Sequence, residues 1–181
     1  MEFERDNALA LLGRTPGVLD SLLRGLPEDW IACDEGPETW TAHDVVAHLV
    51  YTDQANWMPR LRLILASGEA EPFPAFNRFG HLEEKRGRPL DQLLEEFRRN
   101  RAQNLAEVRA LDLNPDDLAK RGRHPALGPA TLAQLVAAWT AHDLTHLHQL
   151  TRLLANQYRE AVGPWEKFLG VLQCSGHSAR S

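Results

Sequence analysis

The chain has 181 residues, 43% of them hydrophobic, and a formal net charge of −5. That hydrophobic share excludes a disordered chain, and the length suffices for a sizeable core without disulfide or metal staples. The acidic balance, with no Lys/Arg cluster repeating along a helical face, removes electrostatic support for nucleic-acid binding.

No shift in composition divides the chain, so a single domain is expected over residues 1–181. The opening MEFERDNALALL lacks a basic segment followed by an apolar core and cleavage site, and no apolar run reaches the ~18 residues of a membrane span. A soluble, cytoplasmic protein with no membrane partner is therefore expected. Cys33 and Cys174 belong to no CxxC pattern, and two unrelated reduced thiols are expected of them.

In chain order, residues 3–13 have helical composition. Thr15-Pro16 then offers an N-cap followed by proline at the first helical position. Val18, Leu19, Leu22 and Leu23 continue an apolar stripe to Gly25, giving one helix kinked near Pro16 or two in tandem. Residues 26–39 carry two prolines and a glycine with little periodicity and are expected to form a loop.

Thr41, with Asp44 three residues on, opens a second long helix by a near capping box. Val45, His48, Leu49, Thr52 and Ala55 share one face of it. Pro59 predicts a kink, after which Leu61, Leu63, Ile64 and Leu65 carry the helix to Ser67-Gly68. Residues 68–89, rich in Gly, Pro and Phe, predict a long irregular connection, a length that in a compact domain often covers a site. The tail after Cys174 is expected to be flexible.

The third helix is predicted from about Leu90 to Leu111, its stripe interrupted at mid-helix by Arg101 and Asn104. Either Leu105 carries the core while Arg101 extends its head to solvent, or both polar groups face a cavity between helices and serve as substrate-binding residues. Asn114-Pro115-Asp116-Asp117 starts a short helix, and RGRHPALGPA is a turn-rich approach to the fourth. Thr131 and Gln134 form a capping box for that fourth helix, expected to run to about Tyr158. PWEKFLGVLQC predicts a short terminal helix, and no β-strand run or repeat is evident. Four substantial helices with short extra pieces point to an all-α helical bundle.

On the fourth helix, Leu135, Trp139, His142, His146, Leu150 and Leu153 recur at intervals of three or four, one face of a helix. Histidines thus stand where leucines would be ordinary. The i, i+4 offset lets both imidazoles reach a common point, and a buried neutral imidazole must find partners for both ring nitrogens. A divalent metal is one such partner; a pair of core hydrogen bonds is the alternative. His148 points away from this face. His48 is the corresponding core-facing histidine of the second helix. Three neutral imidazoles with open coordination positions make a metal-bound water more acidic, toward pKa ~7 for zinc, and without a thiolate a closed structural zinc site is not expected.

Of the remaining polar candidates, Asp44 stands one turn before His48, either to orient it or simply as a helix-start residue. His43 is expected to be exposed. His81, His124 and His177 fall in loops or the tail, although HPALG could bring His124 toward the bundle mouth. The five tryptophans, Trp30, Trp40, Trp57, Trp139 and Trp165, are expected in core or interface packing.

WTAHDVVAHLVYTDQ on the second helix and WTAHDLTHLHQL on the fourth resemble the DinB-like superfamily, including its bacillithiol-transferase and YfiT-type members. FRRNRAQNLAEVRAL and HPALGPATL between them are similar as well, and the resemblance extends roughly from Ala8 to Leu172. It implies an up-down-down-up four-helix bundle with a divalent metal held by three histidines, here His48, His142 and His146. It also implies transfer of a low-molecular-weight thiol cosubstrate to an electrophile. Metal-dependent hydrolysis and a non-catalytic, metal-stabilised stress-response or binding protein are the alternatives. Zinc or nickel is expected ahead of iron or manganese. The expected partner is a small-molecule substrate, with a homodimer as the one assembly considered.

Overall fold

The computed structural model describes residues 3–174. Ten α-helices and a two-stranded hairpin are present among them. The first long element is α1 (Arg5–Leu12) followed at once by α2 (Thr15–Leu23). Of the two sequence alternatives the tandem pair is found, but Thr15 does not cap. Arg14 before it already has helical dihedrals, so Thr15 lies inside the helix, 3% exposed, with no side-chain cap.

A four-residue helix, α3 (Glu28–Ile31), interrupts the expected 26–39 loop. The capping box of Thr41 and Asp44 is complete: each side chain accepts from the other's backbone N–H at 3.1 Å. It starts α4 (Ala42–Ala55), and α5 (Trp57–Ser67) continues beyond a break at Asn56, φ −117°, ψ −64°. The kink expected at Pro59 therefore falls nearer α4. Pro59 has no N–H for the Ala55 carbonyl and its ring crowds that oxygen, so the chain gives way one turn earlier.

Helix α6 (Gly80–Glu84) lies within the connection expected to be irregular. The third long helix, α7 (Leu90–Ala110), has its expected bounds, and α8 (Pro115–Ala119) starts on an Asn114–Asp117 capping box. RGRHPALGPA is the main departure. It forms strands β1 (Arg121–His124) and β2 (Gly128–Thr131), antiparallel with Arg121 opposite Thr131 and His124 opposite Gly128. These strands lack the alternation that marks strands in a sequence. The turn makes them: the His124 Nδ1 accepts from the Ala126 and Leu127 N–H groups, and Gly128 takes φ +78°. Helix α9 (Leu132–Asn156) follows from the Thr131–Gln134 capping box. A 3-10 turn (Gly163–Phe168) and α10 (Gly170–Gln173) replace the single terminal helix expected. The tail expected to be flexible, and His177 in it, lie outside the described residues.

The direction of each long helix follows from which residues meet. Between α4/α5 and α7 the pairs His43–Arg88, Gln54–Glu96 and Arg62–Glu107 rise together, so the two run parallel. The pairs Arg5–Leu113, Leu12–Arg101 and Arg24–Asp91 run α1/α2 antiparallel to α7. Asp53–Trp139 and His48–His142 run α9 antiparallel to α4. The result is an up-down-down-up four-helix bundle. Parallel neighbours need a return the length of the bundle, roughly 30 Å for a helix such as α7, which about ten extended residues would cover. Residues 68–89 exceed that need, and the surplus builds α6.

The core falls into two apolar groups. One gathers Leu12, Trp57, Met58, Leu105, Leu132 and Trp139; the other Leu19, Trp40, Val45, Phe97, Leu150 and Leu153. Between them lies a buried polar layer of His48, Asp53, Arg101, Asp143 and His146. No helix among the described residues is long and apolar enough to cross a membrane. Cys33 is half-buried and Cys174 exposed, and both are free thiols.

Candidate metal centre

His48 comes from the middle of α4, and His142 and His146 from successive turns of α9. Their Nε2 atoms converge. The His142 Nε2 lies 3.2 Å from the Nε2 of His48 and 3.2 Å from that of His146, and one ring nitrogen from each lies within 4.8 Å of the others. Zinc–imidazole bonds of ~2.0–2.1 Å at tetrahedral angles separate nitrogens by roughly 3.3 Å, so the spacing fits a single ion.

Proton counting favours the same occupant. The His146 Nδ1–H donates to the Gln149 Oε1 at 2.8 Å, which leaves the His146 Nε2 as a bare lone pair. His142 can carry at most one proton on the nitrogen that faces both neighbours. That single hydrogen cannot serve two acceptors well, whereas one cation satisfies three lone pairs at once.

Electrostatics keep these lone pairs available. Burial, then His146, His142, His81 and Arg78, pushes His48 far below the ordinary imidazole value. Burial, His146 and Arg101 do the same to His142. Burial also lowers His146, against the opposing pull of Gln149 and Asp143. Neutral imidazole is the form that ligates.

The open side of the triad faces a cavity of about 300 Å³ lined by Trp40, Thr52, Asn56, Phe76, Arg78 and Thr145 besides the histidines. Trp40 stacks at 13° on His146, 6.0 Å between centroids, and Trp57 packs edge-on against His142 at 5.1 Å. A larger cleft, about 570 Å³ near Leu26, His43 and Asp91, contains none of the triad.

Arg101 and Asn104 do not reach this cavity. Arg101 neither extends to solvent nor faces a substrate: it is 1% exposed. Its five N–H donors are all committed inside the protein. Nε and Nη2 grip Asp53 at 2.8 and 2.9 Å, Nη1 and Nη2 grip Asp143, and Nη1 also donates to the Leu12 carbonyl. Phe97 and Trp139 flank the guanidinium at 4.7 and 5.2 Å. Asn104 donates to the Asp53 carbonyl at 2.9 Å. The substrate-binding expectation for this pair gives way to a structural one, because a fully bonded guanidinium has nothing left to offer an anion. Two carboxylates share one guanidinium here. Burial pushes the Asp53 carboxyl up, to about 6, while Asp53 and Asp143 hold Arg101 charged despite its burial.

The other histidines divide differently from the sequence expectation. His148 is exposed, and His124 is held in the hairpin turn, edge-on to Phe73, outside the cavity. His43 is half-buried, its Nε2 donating to the Arg88 carbonyl at 2.7 Å. His81, expected at the surface, is 1% exposed, with its Nδ1 3.4 Å from the Nδ1 of His48. Asp44 is occupied in its capping box. Among the tryptophans, Trp165 is 67% exposed and lies outside the core. Sequence reasoning missed Asp53, Asp143, Gln149 and His81. The first three carried a signal: each is a polar residue breaking an apolar helical face near a histidine. His81 carried none, since nothing in FNRFGHLEEK predicts its entry into the core.

A family model described as the DinB superfamily matches residues 11–150. Among solved structures, YfiT from Bacillus subtilis, described as a probable metal-dependent hydrolase with an unusual four-helix bundle topology, aligns with a TM-score of 0.75. The alignment covers 87% of this chain and 89% of that one at 17% identity, a likeness of fold. No curated protein is significantly similar in sequence.

Proposed function

The chain belongs to the DinB superfamily, and from that membership we propose a divalent-metal enzyme with His48, His142 and His146 as ligands, transferring a low-molecular-weight thiol to a small electrophile. One observation carries this reading: three neutral imidazole nitrogens converge on a cavity whose lining, among the described residues, holds no carboxylate and no cysteine. That lining offers no carboxylate base and no thiol nucleophile among the described residues, so on this reading both roles fall on the small molecules. A thiol, with an ordinary pKa of ~8.5, needs far less activation than water at ~15.7. A bound divalent ion, zinc or nickel ahead of iron or manganese, would supply the Lewis acidity that makes such a thiol nucleophilic at neutral pH.

The remaining roles belong to this chain's own residues. Gln149 fixes the ring of His146 with its bare nitrogen toward the site. Trp40 and Phe76 wall the cavity, and Arg78 lines it with a positive charge suited to an anionic group on thiol or electrophile. Hydrolysis by the same centre is the second reading, favoured by the description of YfiT as a probable metal-dependent hydrolase.

The test begins with metal content of the gently purified chain. About one divalent ion per chain is expected from one triad, lost in a His142→Ala, His146→Ala double variant and kept in His148→Ala. Loaded protein is then offered a panel of electrophiles with and without bacillithiol, mycothiol, glutathione or a simple dithiol. Turnover that requires the thiol and vanishes in His48→Ala supports transfer. Metal-dependent turnover in water alone supports hydrolysis, and no turnover with metal bound leaves a binding protein.

A further inference from the structure

We infer that His81 is a positioning residue for the metal centre, accepting a hydrogen bond from His48 and thereby setting the ring orientation and basicity of that ligand. The inference rests on the metal reading above. An imidazole that ligates through Nε2 carries its proton on Nδ1, and that proton needs an acceptor. The His48 Nε2 faces His142, and its Nδ1 faces the Nδ1 of His81 at 3.4 Å. His81 therefore presents a bare Nδ1 and keeps its own proton on Nε2. It is not a fourth ligand, because the nitrogen it offers faces the His48 Nδ1 and not the Nε2 that meets His142.

The surroundings hold His81 in that pose. Trp40 packs edge-on against its ring at 4.6 Å and tilts over His48 at 4.7 Å, so one indole braces both. Gly80 lets α6 approach α4 closely: a Cβ there would stand 2.5 Å from the Tyr51 hydroxyl. The Lys85 N–H bonds the His81 carbonyl at 2.9 Å. The Lys85 ammonium, 4% exposed, reaches Gln54 on α4 and Glu96 on α7 at 3.0 and 3.2 Å. A polar anchor on each side of the crossover thus delivers one histidine to the back of a ligand.

The experiment measures zinc affinity of the whole chain by competition with a chromophoric chelator, for the unsubstituted protein, His81→Leu and His81→Gln. Thermal melts of each metal-free protein run alongside. Removing the acceptor in His81→Leu is expected to weaken zinc binding about ten- to a hundredfold. His81→Gln, whose amide oxygen can accept from His48, should recover most of that loss even if both variants melt alike. Long-range ¹H–¹⁵N correlation of the zinc-loaded protein should show His81 protonated at Nε2 alone. Unsubstituted-like affinity in His81→Leu, no recovery in His81→Gln, or a proton on the His81 Nδ1 would each overturn the inference while leaving the metal reading intact. Failure of the unsubstituted chain to bind zinc or nickel would overturn the metal reading and this inference with it.

Discussion

At the scale of single residues, the ion-paired Arg101 shows how a polar side chain can occupy a core without serving chemistry. Its charge is balanced by Asp53 and Asp143, all three at most 2% exposed. Such a cluster adds little over a well-packed apolar core, but removing one member strands the others. Arg101→Met leaves two buried carboxylates with no counter-charge and should cost about 3–5 kcal/mol in urea unfolding. Arg101→Lys keeps a charge but loses the fork that holds both carboxylates, so it should recover only part of that loss. A fully stable Arg101→Met whose only defect is a raised KM would reverse this assignment and restore Arg101 as a substrate-binding group.

At the scale of elements, the hairpin and α6 fill two of the places where the sequence carried no strand or helix pattern. The hairpin docks on α5 through Gly122. A Cβ at that position would stand 2.6 Å from the Phe73 ring and 2.7 Å from the Ile64 side chain, both buried. The Phe73 N–H also bonds the Arg123 carbonyl at 2.9 Å, which ties the crossover to the hairpin edge. Gly122→Ala forces those contacts apart and should destabilise the protein by about 1–3 kcal/mol, the usual range for overpacking. Gly87→Ala provides a contrast. Its Cβ would meet nothing within 4 Å, but its φ of +69° strains any L side chain, so its cost comes from backbone alone. Denaturant midpoints for both variants, with unchanged m-values, would check the comparison. A neutral Gly122→Ala would show that the hairpin does not press on α5.

At the scale of the whole molecule, the polar layer between the two apolar groups makes stability depend on pH. His48, His142 and His146 have lowered pKa values in the fold, against ~6.5 in the unfolded chain. Below ~6.5 the unfolded chain binds protons that the fold refuses, so stability falls as pH falls through that window and is flat above it. Asp53 acts in the opposite sense: raised to about 6, it takes up a proton in the fold before the unfolded chain does, and offsets part of the loss. Three histidines outweigh one carboxyl. Metal-free protein is therefore expected to lose urea resistance from about pH 6.5 downward, and saturating zinc to move that loss to lower pH by binding only the fold. Urea midpoints that stay constant from about pH 7.5 to about pH 5 without metal would contradict the buried, neutral triad.

Much of this architecture was legible in the sequence because it is periodic. The four long helices, the capping boxes at Thr41 and Thr131 and the histidines on two apolar faces are all local patterns of residue type and spacing. The same holds for the meeting of His142 and His146, since residues four apart on one helix share a face, whereas His48 was joined to them by the family resemblance. Partner choice across the bundle was not legible. Whether Arg101 faced solvent, a cavity or two carboxylates depended on where α4 and α9 placed Asp53 and Asp143, and no local pattern encodes that distance. The hairpin depends on a turn geometry and on docking against α5, and His81 enters the core because α6 is pinned to α4 and α7. Sequence by itself determined which faces are buried, since burial follows the helical repeat. Only the tertiary structure decided which buried polar groups meet, because a hydrogen bond or metal site needs atoms within about 3 Å of each other, and residues distant in the chain reach that separation only when the helices pack.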